Sequence, residues 1–341
     1  MVTNSGGAVP ADPLPSVDYF PGRGGFYIIG NVLRVEVDLP LVIAQDLQIE
    51  KPTDEQLNII HQLFAGSPWG DDLRAGFESQ VIVAAANGPT VSYSYVPLDQ
   101  LAWRYLVLNH TGNGNDAQWF FYAANLVEPW LYSVGHALTS EQGGRGKRVG
   151  WGFDHMAVHR QFFGPSRFPS LISPPALDQA AAERLRAAYS AFQGLDRVQH
   201  PGVYRSVELL SLFNRLPLAN FLDVLALFMV IEMLLTHAPN DREVGDSLTH
   251  QIREKVPFVM DQMGEVLDYS CFGDTDPKSV WTALYGYRSA LAHGNEPDFQ
   301  RGKLRVLKDA ATADQFLGGA TRRLVRHAIQ EPQFFEGLKP V

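Results

Sequence analysis

"LANFLDVLALFMVIEMLL", Leu218 to Leu235, is the most apolar stretch of the chain. Its length approaches the roughly 20 apolar residues that a membrane-spanning helix needs. Asp223 and Glu232 lie inside it, and carboxylates in hydrocarbon are costly. The stretch therefore reads as a helix buried in a bundle. Outward from it, apolar residues recur at three and four in Asp178–Leu195, Tyr204–Asn214, Leu218–His237, Gly245–Leu267, Pro277–His293 and Asp309–Ile329. Several helices of this length with short connections predict an antiparallel bundle. Pro257, inside the fourth, is expected to kink it.

The first half is mixed. FYIIGNVLRVEVDLPLVI, Phe26 to Ile43, is rich in Val and Ile and predicts strands. Thr53 or Asp54 caps a short helix, EQLNIIHQLFAG, that stops at Gly66. Two apolar runs around Asn87-Gly88 predict a hairpin, and Ala117–Leu138 predicts a helix. GPSRFPSLISPPA, Gly164 to Ala176, is Pro-rich and lacks periodicity. The fold class is α+β. A flexible tail (1–20) precedes a mixed α/β region (21–163), a Pro-rich linker (164–176) and an all-α bundle (177–341).

The chain has 341 residues, 45% hydrophobic and 19% charged, with net charge -9. That excludes indiscriminate nucleic-acid binding, which rests on many phosphate contacts, but leaves room for a local basic patch. The single cysteine, Cys271, precludes an intramolecular disulfide framework and suits a reducing interior. The first 20 residues lack a basic start and an apolar run. The expected location is cytoplasmic, with no membrane partner.

YGYRSALAHG, Tyr285 to Gly294, places Arg288 and His293 around a small apolar run. Five residues apart on a helix, they point roughly 140° from each other, whereas Ser289 and His293 share a face. Gly294 is expected to end the helix. "LYGYRSALAHG" resembles the signature of the HEPN superfamily, an arginine followed after about four to six residues by a histidine, and more narrowly the Apea-like HEPN family with its "RSxxxHG" type segment. "ALFMVIEMLLTH" resembles that family's helix with a Glu before a Leu pair, here Glu232, and "LTHQIREKVPFVM" its next helix with an internal arginine, here Arg253. The resemblance covers roughly residues 204–329. Many nuclease members carry Asn or another strongly polar residue directly after the arginine, where this chain has Ser289.

The resemblance implies a HEPN-like bundle, dimerisation through it, and metal-independent RNA cleavage without a cofactor by Arg288 and His293 in a cleft between protomers. A role in prokaryotic defence or stress is implied by the resemblance alone. The residue types suit that chemistry. Histidine titrates near neutrality and can take a proton from a 2′-hydroxyl, and arginine grips phosphate with a planar fork. A non-catalytic RNA- or protein-binding dimerisation module is the alternative.

Around this pair, Glu232 needs a partner in its apolar helix, and Arg288 or Arg253 would serve. Tyr285 and Tyr287 could stack on bases. Residues 301–330 hold seven basic residues, among them Arg301, Lys303 and Arg305, against Asp309 and Asp314, which suits an RNA track. Elsewhere, His155 and His159 form an HxxxH beside Asp154, with no obvious third metal ligand. GGRGKRVGWG, Gly143 to Gly152, carries Arg145, Lys147 and Arg148 on what reads as a solvated loop. It fails as a phosphate-binding P-loop because Glu141 and Arg148 stand where Gly and Ser/Thr are required.

Overall fold

The computed structural model describes residues 24–83, 91–112, 114–153, 174–213, 221–238 and 247–339. Its centre is a six-stranded antiparallel sheet in the order β3-β4-β7-β1-β8-β9, built from β1 (Gly25–Ile29), β3 (Leu41–Ala44), β4 (Leu47–Glu50), β7 (Val107–His110), β8 (Ser133–Thr139) and β9 (Arg148–Phe153). The central strand β1 is nearly all apolar because it is buried on both faces. Side chains alternate across a strand. Phe26 and Ile28 enter one core with helices α1 (Asp54–Ala65) and α2 (Gly70–Glu78), while Tyr27 and Ile29 join a second core on the opposite face.

That second core begins with α4 (Gly114–Val127) and continues into the helices of the C-terminal half. These are α5 (Gln179–Gly194), α6 (Pro201–Phe213), α7 (Phe221–Leu235), α8 (Leu248–Gln262), α9 (Pro277–Ala292) and α10 (Ala310–Gln330), followed by the short α11 (Pro332–Leu338). One apolar cluster runs from Ile29 on the sheet to Phe335 in α11. The regions before and after the Pro-rich stretch are therefore packed into one interior. A short strand, β10 (Ala176–Leu177), pairs in parallel with β2 (Arg34–Val35). The guanidinium of Arg197, after α5, lies 3.5 Å from the ring centre of Trp119 on α4 and 4.8 Å from that of Tyr204 on α6, which ties the same three elements together.

Local signals account for the helix ends. Thr53 caps α1 with a full capping box, its side chain accepting from the Gln56 N–H while Gln56 accepts from the Thr53 N–H. Asp178, Asp276 and Asp309 accept the N–H groups of Ala181, Ser279 and Thr312 at the starts of α5, α9 and α10. Helix α8 continues through Pro257. The runs around Asn87-Gly88 pair as an antiparallel hairpin, β5 (Ser79–Val83) with β6 (Val91–Tyr95), followed by the short α3 (Leu98–Arg104), and the turn itself lies outside the described residues.

Two expectations are corrected. A helix over Ala117–Leu138 is replaced by α4, ending at Val127, and strand β8. Pro129 disfavours the helical conformation at Glu128 and stops α4, and Ser133–Thr139 is captured between β1 and β9. The expected solvated loop over Gly143–Gly152 is half strand, and its glycine part is held down. Gly143, Gly144 and Gly146 all have positive φ. The Gly144 carbonyl accepts from Gln56 Nε2 (2.9 Å), which also donates to the side-chain oxygen of Asn109 (2.8 Å). A Cβ on Gly144 would stand 2.5 Å from Asn109 Oδ1 and 2.7 Å from Gln56 Nε2. Gly144→Ala is therefore expected to destabilise the protein by about 2–4 kcal/mol, combining left-handed backbone strain with broken buried hydrogen bonds. Urea denaturation checks this, and an unchanged midpoint would contradict it.

Candidate functional site

Arg288 sits near the end of α9, whose buried face is Val280, Trp281, Ala283, Leu284 and Tyr287. Arg288 and Ser289 are half-buried, and His293 is exposed. The helix closes through a Schellman turn. The Asn295 N–H donates to the Ala290 carbonyl (2.9 Å) and the Gly294 N–H to the Leu291 carbonyl (3.0 Å), with Gly294 at φ 71°. His293 is the cap residue, its N–H donating to the Ser289 carbonyl (3.1 Å). The backbone beneath the imidazole is thus fixed while the ring faces water.

The guanidinium of Arg288 meets Glu232 of α7, with Nη2 3.4 Å from Oε1. The contact is ionic and is not an aligned hydrogen bond, because Glu232 Oε1 and Arg288 Nε both lack a hydrogen-bond partner. Burial raises the Glu232 pKa, and Arg288 opposes that rise. The guanidinium carbon lies 5.5 Å from the ring centre of Tyr285, which packs edge-on against Phe228 at 5.7 Å. Arg288, Glu232 and Tyr285 therefore form one cluster across α7 and α9.

Arg253 does not join it. Its Nε donates to Glu254 (3.1 Å) and its Nη2 lies 2.9 Å from His250 Nδ1, both on α8. Of the two partners the sequence left open for Glu232, the structure selects Arg288. Among the described residues no hydrogen bond or ion pair joins Arg288 to His293 within the chain.

Arg301, Lys303 and Arg305 are exposed. Lys303 and Arg305 ride on a 3-10 turn, Gly302–Leu307, that packs on α9 through Leu304 near Gly286. Arg301 is 88% exposed with only a 3.9 Å contact to Asp298, which leaves it open to a solvent anion. Farther along the basic segment, Arg323, Arg326 and His327 converge on Glu265.

Tyr287 is buried and hydrogen-bonds Asp314 of α10. Burial, with Asp223 and Asp309 nearby, pushes the Asp314 pKa up to about 6, against the Tyr287 hydrogen bond. A carboxyl whose folded pKa is raised favours the fold while protonated. This contribution is complete below the unfolded value near 4 and is lost as pH rises through about 6. Asp314→Asn is expected to flatten that fall, melting above the parent at pH 7.5 and with it at pH 4. A parallel offset at both pH values would contradict it.

One cluster escaped the sequence reading. Tyr27 on β1 lies between His110 (ring centres 5.9 Å apart) and His136 (5.3 Å). His110 is 2% exposed, its Nδ1 is 3.3 Å from the Gly112 carbonyl, and Nε2 has no partner. Burial lowers the pKa of both histidines. Gly25 and Gly152 make room for the two rings, since a Cβ there would stand 2.9 Å from His110 Nε2 and 2.4 Å from His136 Cε1. Histidines in short alternating strands with glycines on the neighbouring strands were the available signal.

Among the described residues no group of three or more His, Cys, Asp or Glu side chains could hold a metal ion, and no helix is long and apolar enough to cross a membrane. Asp154, His155 and His159 lie outside the described residues. An open cleft of about 590 Å³ between Val35–Pro40 and Trp103 contains none of the α9 residues. Comparison with protein-family models, with curated proteins and with solved structures finds no match to this chain, so the reading of the site rests on its own residues.

Proposed function

We propose that this protein is a HEPN-like endoribonuclease that needs no metal and whose site is shared between two protomers. The observation that carries the reading is a half-buried guanidinium with an unpartnered Nε, five residues before an exposed histidine held at the helix cap. Phosphate would compete with Glu232 for the partly exposed fork of the guanidinium. The imidazole would take the 2′-hydroxyl proton, and the attack would leave a 2′,3′-cyclic phosphate. Pairing Arg288 of one protomer with the partner's His293 removes the angular separation of the two residues. Leu222 and Met229, seven apart on α7, are 41% and 48% exposed on the helix that carries Glu232, which supports a second copy covering that face.

Incubating the full-length protein with single-stranded RNAs in excess EDTA tests the reading. Cleavage with cyclic phosphate ends is expected. Activity that vanishes with EDTA and returns with magnesium would place the chemistry elsewhere. Sedimentation at tens of micromolar should give a dimer, and Met229→Lys should shift it toward monomer. A strictly monomeric parent would end the shared-site reading.

The Arg288–Glu232 contact also favours a second reading, a non-catalytic module that binds RNA or a protein. There the arginine is neutralised by its own carboxylate and serves to lock α9 to α7. A dimer inert on every RNA would support it.

A further inference from the structure

The glycine-rich loop and strand β9 form a surface that the site on α9 does not use. Among the described residues, strand β9 is the last strand of the sheet. It pairs with β8 through a bulge. Trp151 stands opposite Ala137, Gly150 opposite Leu138 and Arg148 opposite Thr139, which leaves Val149 unmatched. Paired residues of antiparallel strands share a face, so the bulge puts Arg148 on the same face as Trp151. Phe153, opposite Gly135, continues the row and packs partly into the α1–α2 core. Trp151 stands outside that core, 54% exposed, and Val149 is 44% exposed.

The cations beside this row are Arg145, Lys147 and Arg148, all exposed. Their backbone is not free to wander. The Glu141 N–H donates to the Arg145 carbonyl (3.1 Å), the Ser140 N–H to the Lys147 carbonyl (2.9 Å) and the Lys147 N–H to Ser140 Oγ (3.0 Å). Gln56 anchors Gly144 from below. The nearby acids are Glu141, which is exposed, and Glu50, whose charge Arg145 feels. In a chain of net charge -9, a held turn with three exposed cations beside a bare indole is a local exception.

We infer that this edge of the sheet binds single-stranded RNA, with Trp151 stacking on a base and Arg145, Lys147 and Arg148 contacting the phosphates that flank it. A polyanion alone would need the cations without the indole. An added protein strand would need the edge without the cations. A single strand of nucleic acid uses both, because each base has a face to stack and each link a charge to neutralise. The choice of RNA rests on the proposed reading of Arg288 and His293. The surface would hold the strand on the N-terminal half while the bundle acts on it.

The test uses full-length protein in a His293→Ala background, so that cleavage does not confound binding, and a fluorescein-labelled RNA of about 12 nucleotides. Trp151→Ala is expected to raise Kd roughly tenfold or more, the size of one lost base stack, and Trp151→Phe to retain most of the affinity. Replacing Arg145, Lys147 and Arg148 by Gln should lower the slope of log Kd against log salt by about 2, at roughly 0.7 per phosphate. Equal affinity for parent, Trp151→Ala and the triple variant would overturn the inference. So would heparin or anionic vesicles binding the cations with no dependence on Trp151, or an uncharged extended peptide binding the edge in place of RNA. RNA binding that depends on Trp151 in a wild-type protein that cuts nothing would keep this surface and remove the nuclease reading. Cleavage that depends on Arg288 but not on Trp151 would do the reverse.

Discussion

His293→Ala is expected to lower RNA cleavage by about 10²–10⁴-fold, the usual loss when a general base is removed. Arg288→Ala should cost a similar factor, because in the proposed site the guanidinium would meet the charge growing on the phosphate. Arg288→Lys should not restore activity, since an ammonium cannot reproduce the planar fork. Thermal melts should barely move. His293 is exposed, and the mostly buried Arg288–Glu232 pair is joined by a long 3.4 Å contact without an aligned hydrogen bond, so losing it should cost only about 1 kcal/mol. Mixing the two inactive variants gives a sharper check. If the site is shared, heterodimers regain one intact pair and part of the activity returns. If each chain carries its own complete site, mixing restores nothing. Melts that fall by several kcal/mol in Arg288→Ala, with no RNase activity in the parent, would instead make the pair a structural lock.

The largest stability effect is expected at Trp281, on the same helix seven residues earlier. Its side chain is fully buried, its Nε1–H donates to the Tyr269 hydroxyl (3.0 Å), and its ring lies 5.9 Å from Phe316 of α10. Trp281→Ala should destabilise by about 3–5 kcal/mol, combining the lost transfer energy with the cavity left behind. Trp281→Phe keeps much of the volume but strands the half-buried tyrosine hydroxyl, at about 1–2 kcal/mol. Urea midpoints separate the three proteins. The two sets of variants should diverge: Trp281→Ala moves stability first, and activity only as α9 loosens, whereas His293→Ala moves activity alone. A Trp281→Ala protein as stable as the parent would mean that α9 is not held as described.

The helices were legible because their signals, apolar spacing and end caps, are local. A cap acts within three or four residues, so Asp178, Asp276, Asp309 and Thr53 mark their helices regardless of what packs on them. Gly294 likewise sets the end of α9 and thereby the backbone under His293. The Ala117–Leu138 stretch was misread for the opposite reason. Whether Ser133–Thr139 becomes a strand depends on two partners, β1 and β9, and only the first lies far away in sequence while the second was itself hidden in a glycine-rich run.

The amino-acid sequence by itself determined where α9 starts and stops, which residues it carries, and that Glu232 in an apolar helix needs a partner. Only the tertiary structure decided that the partner is Arg288 while Arg253 turns to Glu254, because that choice depends on how α7, α8 and α9 rotate as their apolar faces pack. It also decided that the glycine-rich run is held rather than loose. The reason is a buried amide pair, Gln56 and Asn109, brought together from distant elements: Gln56 Nε2 donates to both Asn109 Oδ1 and the Gly144 carbonyl, which pins the run from beneath.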